Sequence, residues 1–276
     1  METAAWALAF RAGDVSGVQL RPLVSIEDAG EIVRVMIATW GNHQLLPREM
    51  IHALNHSGNT SWGAFVDGTL IAYVLGWAGV DPKDGLHIHS HMLAALPDRR
   101  HKGVGYALKL AQRAQALDQD IHLARWTFDP LVARNAWLNL GKLGAVADRF
   151  ERNFYGAMGD SLNVGERSDR FVVRWDLDRE PGALQTPPAD APVILARSGD
   201  PERPAPQPSG SSRTGAGWVE IPPDHSVLRA SDPGLGTAWR DAVADAVAHL
   251  MERGAVGIAF DKGRSAYLFG KREVRG

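Results

Sequence analysis

The sequence predicts an α/β protein with a mixed, mostly antiparallel sheet flanked by helices. Asp67-Gly68 separates two apolar runs, 61–66 and 69–77, and a two-residue Asp-Gly link between such runs is a strong hairpin signal. Apolar residues recur at helical spacing over 26–40, ahead of this hairpin. A further strand-like run ends at Pro97, where a glycine-rich segment opens into another helical pattern. Three antiparallel strands therefore precede the glycine-rich segment, an order that disfavours a dinucleotide-binding βαβ unit.

The same signals place the other elements of the main domain. The predicted order is a strand at 18–23, helices at 26–40 and 47–58, strands at 61–66, 69–77 and 86–95, a helix at 104–117, a strand at 121–128, a helix from 130 to about 142, and strands at 145–154 and 170–177. The sheet is therefore expected to carry helices on its faces.

The chain divides into four predicted segments. Residues 1–17 lack the basic start of a signal peptide and are expected to be a loose leader before the main domain at 18–178. Half of the 16 prolines fall between Pro181 and Pro208, so residues 179–216 are predicted to be a linker. Residues 217–276 are predicted to form a β-α-β-β extension, and its helix at 242–250 could serve a homodimer contact.

Composition excludes several classes of function. A net charge of -2 and a pI near 6.6 give no global attraction to nucleic acid or to an anionic membrane. No apolar run approaches the roughly 18 residues of a membrane-spanning helix. The chain has no cysteine, which excludes thiolate nucleophiles and cysteine metal sites and fits a reducing cytoplasm. A cytoplasmic protein that binds a small molecule is the expectation.

The segment Arg100-His101-Lys102-Gly103-Val104-Gly105 carries the clearest binding chemistry. Glycines let the backbone approach a ligand closely, and the N–H groups at a helix start attract phosphate. A Walker loop is not supported, because the Gly-Lys-Ser/Thr ending is absent. A tight turn without a ligand fits this segment on its own as well, but its basic residues and its place before a helix favour a phosphate-bearing ligand.

This arrangement resembles motif A of the GNAT superfamily of acyl-CoA-dependent N-acyltransferases. The residues concerned are Pro97, Arg100-x-x-Gly103-x-Gly105-Tyr106-Ala107 and the long helix after them. Asn135-Ala136-Trp137-Leu138-Asn139-Leu140-Gly141-Lys142-Leu143-Gly144-Ala145 resembles the next helix and strand of that superfamily, so the likeness covers about residues 18–177. It implies a GNAT-like sheet and transfer of an acyl group from acetyl- or succinyl-CoA to a small-molecule amine by direct attack on the thioester.

The resemblance also implies the coenzyme A contacts. Main-chain groups of Met92, Leu93 and Ala95 would hold the pantetheine like a substitute strand, and Asn135 would contact the cofactor from the next helix. The pyrophosphate would be bound by backbone N–H groups of Arg100, His101, Lys102, Gly103, Val104, Gly105 and Tyr106.

His87, His89 and His91 alternate along one predicted strand, so their side chains share a sheet face. They could be half-buried structural residues, metal ligands, or include a general base, because imidazole titrates near neutral pH. No carboxylate stands nearby to complete a metal site, and we expect no metal. Superfamily members with a base on this strand use a glutamate, and the resemblance places His89 at that position.

The sequence departs from the superfamily at the usual acid for the leaving thiolate. The family tyrosine on the helix after Asn135 is replaced by Leu140. Tyr155 is the predicted replacement, and its alternative is a packed aromatic residue with an exposed hydroxyl. The missing tyrosine also keeps open a non-catalytic protein that binds or senses acyl-CoA.

Arg134 and Arg170 stand near predicted strand ends, where they could bind a substrate carboxylate. Ion pairs of Arg170 with Asp129 or Asp169 are the alternative. The combination W-T-F-D-P-L, R-N, N-F-Y-G and S-D-R-F resembles a GNAT subgroup associated with N-acylamino acid racemases. Some members of that subgroup are succinyl-CoA-dependent D-amino-acid N-succinyltransferases, which implies an amino acid as acceptor.

Overall fold

The computed structural model describes residues 3–41, 46–59, 61–99, 103–157, 165–182, 191–212 and 215–271. They form two compact units: the first holds residues up to 126 with 176–178, and the second holds 127–157, 165–175 and those from 179 onward. The predicted α/β class, with strands in a mixed sheet and helices beside them, is confirmed. No helix in the described part of the chain is long and apolar enough to span a membrane.

The first unit contains the predicted hairpin. Its elements are α1 Ala4–Val15, β1 Gln19–Pro22, α2 Ile26–Trp40, α3 Arg48–His56, β2 Trp62–Val66, β3 Thr69–Asp81, β4 Gly85–Ala95, α4 Val104–Asp118 and β5 Leu123–Phe128. Its strands follow the order β1-β2-β3-β4-β5, antiparallel except for the parallel pair β4–β5. Asp67 and Gly68 turn the β2–β3 hairpin with φ of 49° and 74°, the left-handed pair that a two-residue turn requires.

The core of the first unit lies between α2 and the sheet. Ser25 and Asp28 form a capping box that fixes the start of α2. The helix then buries Ile32 and Met36 in one cluster with Tyr73 and other residues of the strands. The one-sided apolar pattern of residues 26–40 is therefore confirmed as a core-facing helix.

The prediction of a loose leader at 1–17 is wrong, because residues 4–15 form α1. Trp6 Nε1 donates to Asp118 Oδ2 at 2.7 Å, and the Trp6 ring packs on Trp62 with centroids 4.8 Å apart. Ala9 is fully buried on the same helix. A tryptophan and small residues on one face let this short helix pack on α4. The prediction considered only whether residues 1–17 form a signal peptide, and that criterion says nothing about such packing.

The second unit contains the later strands of the chain. Its elements are α5 Ala133–Ala136, a π-helical stretch Trp137–Lys142, β6 Val146–Glu151, β7 Arg170–Asp176, β8 Val193–Ser198, β9 Ala205–Pro208, β10 Gly217–Glu220, α6 His225–Ser231, α7 Pro233–Met251, β11 Val256–Asp261 and β12 Ala266–Gly270. The strand order is β7-β6-β11-β12-β10-β8-β9, in which only β8 and β10 pair in parallel. Trp218, Ile258 and Leu268 share one core cluster.

The prediction of a linker at 179–216 is wrong for much of its described part, because β8 and β9 lie within it and pair antiparallel. Pro206 and Pro208 are tolerated because β9 is the last strand in the order, and an outer strand does not need every N–H. Trp239 Nε1 on α7 donates to the Pro204 carbonyl at 2.7 Å, which fixes the start of this strand. The C-terminal extension also holds one helix more than predicted, α6.

Candidate functional site

The pairing of β4 with β5 ends early. Its parallel partners are Ile88 with Ala124 and His89 with Arg125, and no later pair joins the two strands among the described residues. β4 itself continues to Ala95 against β3. The two strands therefore part after His89, and an open strand edge of this kind can receive a ligand through main-chain hydrogen bonds.

A β-bulge lies at the same place. Leu75 pairs with Met92 while Gly76 pairs with Ser90, so His91 is the extra residue in β4. A Cβ added to Gly76 would lie 2.6 Å from the His89 carbonyl oxygen and 2.8 Å from Gln112 Nε2. Only glycine fits this close approach of strand and helix.

The register fixes which main-chain groups face the opening. Leu96 N donates to Ile71 O at 2.9 Å, and hydrogen-bonded pairs alternate along an antiparallel ladder. Met92 therefore turns its N–H and C=O towards β3, whereas Leu93 and Ala95 turn theirs to the other edge. This orientation agrees with the prediction for Leu93 and Ala95 and does not support Met92 as a main-chain contact.

The start of α4 presents backbone N–H groups. Gly103 precedes the helix with φ of 86°, and a Cβ there would lie 2.8 Å from Ser16 Oγ. Its carbonyl accepts from Tyr106 N at 3.0 Å and from Ala107 N at 3.1 Å. The N–H groups of Val104 and Gly105 lie in the first turn, where an α-helix supplies no acceptor and favours anions. Arg100, His101 and Lys102, also predicted here, lie outside the described residues.

The three histidines of β4 occupy different surroundings. The rings of His89 and His91 both pack on Trp77, with centroids 5.0 and 4.7 Å away, and their nearest nitrogens are 3.4 Å apart. His87 is buried, and its Nδ1 lies 3.0 Å from the Gly85 carbonyl oxygen. No group of three or more His, Asp or Glu side chains suited to a metal occurs in the part of the chain that the structure describes.

His89 is a weak base in this setting. Burial lowers its pKa to about 4, with further contributions from the neighbouring charges of His91, His87 and Lys109. Burial also lowers the pKa of His91. His89 is therefore neutral at pH 7 and can accept a proton only from a donor that is itself acidic.

Lys109 is a site residue that the sequence prediction missed. Its Nζ donates to Ser90 Oγ at 2.7 Å and lies 3.6 Å from the centroid of the Trp126 ring. Ser90 and Trp126 directly follow the last paired residues of β4 and β5, so the amine sits where the strands part. Burial lowers the pKa of Lys109 well below its usual value. The signal in the sequence is one lysine within the apolar run of α4.

Tyr155 belongs to the second unit, on a loop held by Ser168. Tyr155 N donates to Ser168 Oγ at 3.0 Å, and that hydroxyl donates to the Gly156 carbonyl at 2.8 Å. The phenol oxygen lies 3.1 Å from Thr127 Oγ1, and the side chain is exposed. The hydroxyl is thus held by a fixed loop and remains accessible.

Arg170 lies next to Tyr155 in the same unit. Its guanidinium carbon is 5.4 Å from the centroid of the Tyr155 ring, its Nη1 donates to the Asp169 carbonyl at 2.8 Å, and Nη1 is 3.7 Å from Asp129 Oδ2. The ion pair with Asp129 that the sequence left as an alternative is therefore present. Arg134 is exposed on α5, and Asn135 follows it there with its N–H bonded to Val132 O at 2.9 Å.

The Acetyltransferase (GNAT) family model matches residues 27–137, about two fifths of the 276-residue chain. No curated protein matches the sequence. The ribosomal-protein-S18-alanine N-acetyltransferase from Escherichia coli is a similar solved structure, at 12% identity and a TM-score of 0.48 over 61% of this chain and 99% of that chain. So is yncA from Salmonella typhimurium, solved with its cofactor acetyl-CoA, at 15% identity and a TM-score of 0.45 over 62% and 98% of the two chains. Over residues 27–137, the chain is therefore similar to the GNAT family of acetyltransferases, for which acetyl-CoA is the typical co-substrate.

Proposed function

We propose that this chain transfers an acyl group from acyl-CoA to the amine of a small molecule, with an amino acid as the acceptor. The observation that carries the proposal is the opening between β4 and β5, which begins directly after the pair of His89 and Arg125. Main-chain groups of Leu93 face this opening, and α4 starts a few residues later in the chain. An extended pantetheine and a phosphate group are the ligand parts that these two features suit.

The pantetheine would bind along β4 through Leu93 and Ala95. The pyrophosphate would bind at the start of α4, to the N–H groups of Val104 and Gly105; Tyr106, whose N–H donates to the Gly103 carbonyl, is proposed from the family resemblance alone. Arg100, His101, Lys102 and Asn135 are proposed contacts on the strength of the family resemblance alone. Each of these roles except that of Asn135 uses the main chain, so the side chains at these positions are free to vary.

The chemistry needs one proton acceptor and one proton donor. As the amine attacks, the N–C bond forms, the C–S bond breaks, and the nitrogen must lose a proton. His89 would take that proton: the nitrogen is far more acidic once it has attacked than in the free ammonium, so the lowered pKa of His89 still allows transfer. Tyr155 is proposed to protonate the leaving thiolate in place of the missing family tyrosine.

The acceptor proposal comes from the arginines. Arg170 lies beside the exposed Tyr155 ring and could pair with a carboxylate next to the reacting amine, and Arg134 could do the same from α5. The subgroup resemblance adds succinyl-CoA as donor and D-amino acids as acceptors. Both additions are proposals to be tested beside acetyl-CoA and L-amino acids.

The test is thiol release from acetyl-, propionyl- and succinyl-CoA against a panel of L- and D-amino acids, together with calorimetry of coenzyme A binding. We expect binding and turnover with at least one donor and acceptor pair. If neither coenzyme A nor any acyl form binds, the proposal fails. Tight binding without turnover on any amine would favour the alternative of an acyl-CoA-binding protein.

A further inference from the structure

His89 and His91 form a hydrogen-bonded pair on one face of β4. His91 Nδ1 lies 3.4 Å from His89 Nε2, and the two ring centroids are 5.5 Å apart. This contact is long for a hydrogen bond, as contacts between catalytic groups often are before the substrate binds. No hydrogen bond from the described part of the chain reaches His89 Nδ1. One nitrogen of His89 is therefore engaged by His91, and the other is open.

Trp77 holds both rings in place. Its ring centroid lies 5.0 Å from that of His89 and 4.7 Å from that of His91, with interplanar angles of 36° and 42°. Trp77 is also the direct cross-strand partner of His89 in the β3–β4 ladder. Both histidine side chains are half-buried. The pair thus stands on two strands of the first unit, where packing fixes the orientation of its rings.

The facing nitrogens of the pair share one proton. A neutral imidazole has one N–H and one lone pair, so either His91 Nδ1 donates to His89 Nε2, or His89 Nε2 donates to His91 Nδ1. In the first arrangement the proton of His89 lies on Nδ1, and its lone pair is taken up by His91. In the second arrangement His89 Nδ1 keeps a free lone pair. Only the second arrangement leaves His89 able to act as a base.

Burial favours the neutral form of both rings. It lowers the pKa of His89 to about 4 and lowers the pKa of His91 below its usual value of 6.5. A charged His91 has no lone pair to offer and would repel a proton on His89, as charges on His87 and Lys109 would. A neutral His91 exerts no such repulsion. At pH 7, His91 is therefore available as a hydrogen-bond acceptor.

We propose that His91 is a positioning residue for His89: it accepts the His89 Nε2–H and so keeps the lone pair of His89 on Nδ1, where it can take the proton of the attacking amine. This inference rests on the proposed function, in which His89 is the base. Its physical reason is that the hydrogen bond made by one nitrogen of an imidazole decides which of the two nitrogens carries the proton.

The proton of the acceptor ends on His89. Once the N–C bond has formed, an N–H bond of the acceptor breaks, its electron pair stays on the nitrogen, and the proton binds His89 Nδ1. His89 then carries a positive charge, and its Nε2–H donates to His91 Nδ1. A hydrogen bond from a charged donor is about twice as strong as a neutral one, so His91 stabilises His89 most when the proton arrives. Loss of His91 should therefore lower kcat and leave KM for the acceptor little changed.

The test uses two substitutions that separate the hydrogen bond from ring packing. His91→Asn loses the ring but keeps an oxygen near the position of Nδ1, which can accept from His89 Nε2. His91→Phe keeps a ring against Trp77 but has no acceptor. KM and kcat are measured for thiol release with the best donor and acceptor, and coenzyme A affinity by calorimetry. We expect His91→Phe to lower kcat about tenfold with KM and coenzyme A affinity unchanged, and His91→Asn to stay within about threefold of the wild type.

Nuclear magnetic resonance of the full chain, labelled with nitrogen isotope in its histidines, shows the tautomer without any turnover. Spectra of His89→Gln and His91→Asn assign the two rings among the 10 histidines of the chain. At pH 7 we expect wild-type His89 to carry its proton on Nε2 and His91 to have an unprotonated Nδ1.

Three results would overturn the inference in a protein that turns over: wild-type His89 with its proton on Nδ1, a folded His91→Phe with the kcat of the wild type, or a loss of kcat in His91→Asn at least as large as in His91→Phe. The third would show that packing on Trp77 is what matters. If His91→Phe does not fold, the tautomer and His91→Asn decide the question. A wild-type protein that binds no acyl-CoA or releases no thiol with any amine would instead refute the proposed function, and this inference with it.

Discussion

Lys109 Nζ donates to Ser90 Oγ at 2.7 Å, at the point where β4 and β5 part. Burial lowers the pKa of this amine well below its usual value of 10.5, because a charge is costly away from water. The hydrogen bond to Ser90 and the contact with the Trp126 ring satisfy the amine there. Lys109 thus places a polar group of lowered basicity at the floor of the opening.

Replacement of Lys109 by methionine should change how stability depends on pH. Between the lowered pKa and 10.5 the unfolded chain binds a proton at Lys109 that the folded chain does not, so the wild-type free energy of unfolding rises with pH in that window. Lys109→Met lacks this rise, which for one group reaches at most about 1.4 kcal/mol per pH unit. Urea unfolding at several pH values from 6 to 9 measures the difference.

Lys83→Met is the matched control, because Lys83 is exposed in the β3–β4 turn. Its unfolding free energy should run parallel to that of the wild type at every pH. If Lys109→Met also runs parallel, Lys109 keeps its ordinary pKa in the fold and burial does not lower it.

Gly76→Ala should damage the bulge. The new Cβ would lie 2.6 Å from the His89 carbonyl oxygen, so β3 and β4 must shift. We expect a loss of about 2 kcal/mol in the free energy of unfolding, typical of an overpacked site, and weaker acyl-CoA binding. Chemical denaturation and calorimetry measure the two effects.

Gly30→Ala is the control for Gly76→Ala. Gly30 lies within α2, and a Cβ there meets nothing within 4 Å. Alanine favours a helix over glycine by about 1 kcal/mol, so this variant should be at least as stable as the wild type and bind acyl-CoA normally. Equal behaviour of the two variants would contradict the tight fit at Gly76.

His89→Gln should lower both activity and the pH dependence of stability. The folded pKa of His89 is about 4 against 6.5, so its contribution to stability is complete above pH 6.5 and is lost as the pH falls towards 4. The His89→Gln variant should lack this loss of stability in acid. If His89 is the base, kcat for thiol release should also fall about 100-fold.

His56→Gln is the control for His89→Gln, because His56 lies exposed at the end of α3. It should keep the wild-type kcat and the wild-type loss of stability in acid. A His89→Gln protein with full activity and a flattened stability profile would show that His89 is buried but is not the base.

Local signals predicted most of the first unit. The Asp-Gly turn, the capping residues of α2 and the glycines before α4 are short-range patterns, and each of these elements is found. α1 was missed because its stability depends on Trp6 reaching Asp118 and Trp62, contacts distant in sequence. β9 was missed because its prolines are tolerated only at the outer position in the strand order.

The polar interior could not be predicted from the sequence either, because its contacts join residues that are distant in the chain. Arg240 is 111 residues from Asp129, and nothing in either local pattern indicates their contact. Lys109 and Ser90 come from different elements, and their hydrogen bond depends on how α4 lies on β4. Local patterns identify the glycine turn before α4, but buried charge pairs follow only from the packed fold.

Tyr155→Phe should separate the phenol from its ring. Phenylalanine keeps the ring beside Arg170 and removes only the hydroxyl that lies 3.1 Å from Thr127 Oγ1. If that hydroxyl protonates the thiolate, kcat should fall about 100-fold while KM for the acceptor changes little, because the loss lies in the transition state. Steady-state thiol release with the best donor and acceptor measures both constants.

Thr127→Val provides the matched control for Tyr155→Phe, because it removes the same hydrogen bond and leaves the phenol in place. If the Tyr155 hydroxyl has only a structural role, the two variants should lower kcat equally, since each one breaks the contact between Thr127 and Tyr155. If the hydroxyl is the proton donor, only Tyr155→Phe should lower kcat strongly, and Thr127→Val should keep kcat within about threefold of the wild type. Equal losses in the two variants would rule out Tyr155 as the acid and leave protonation of the thiolate to water.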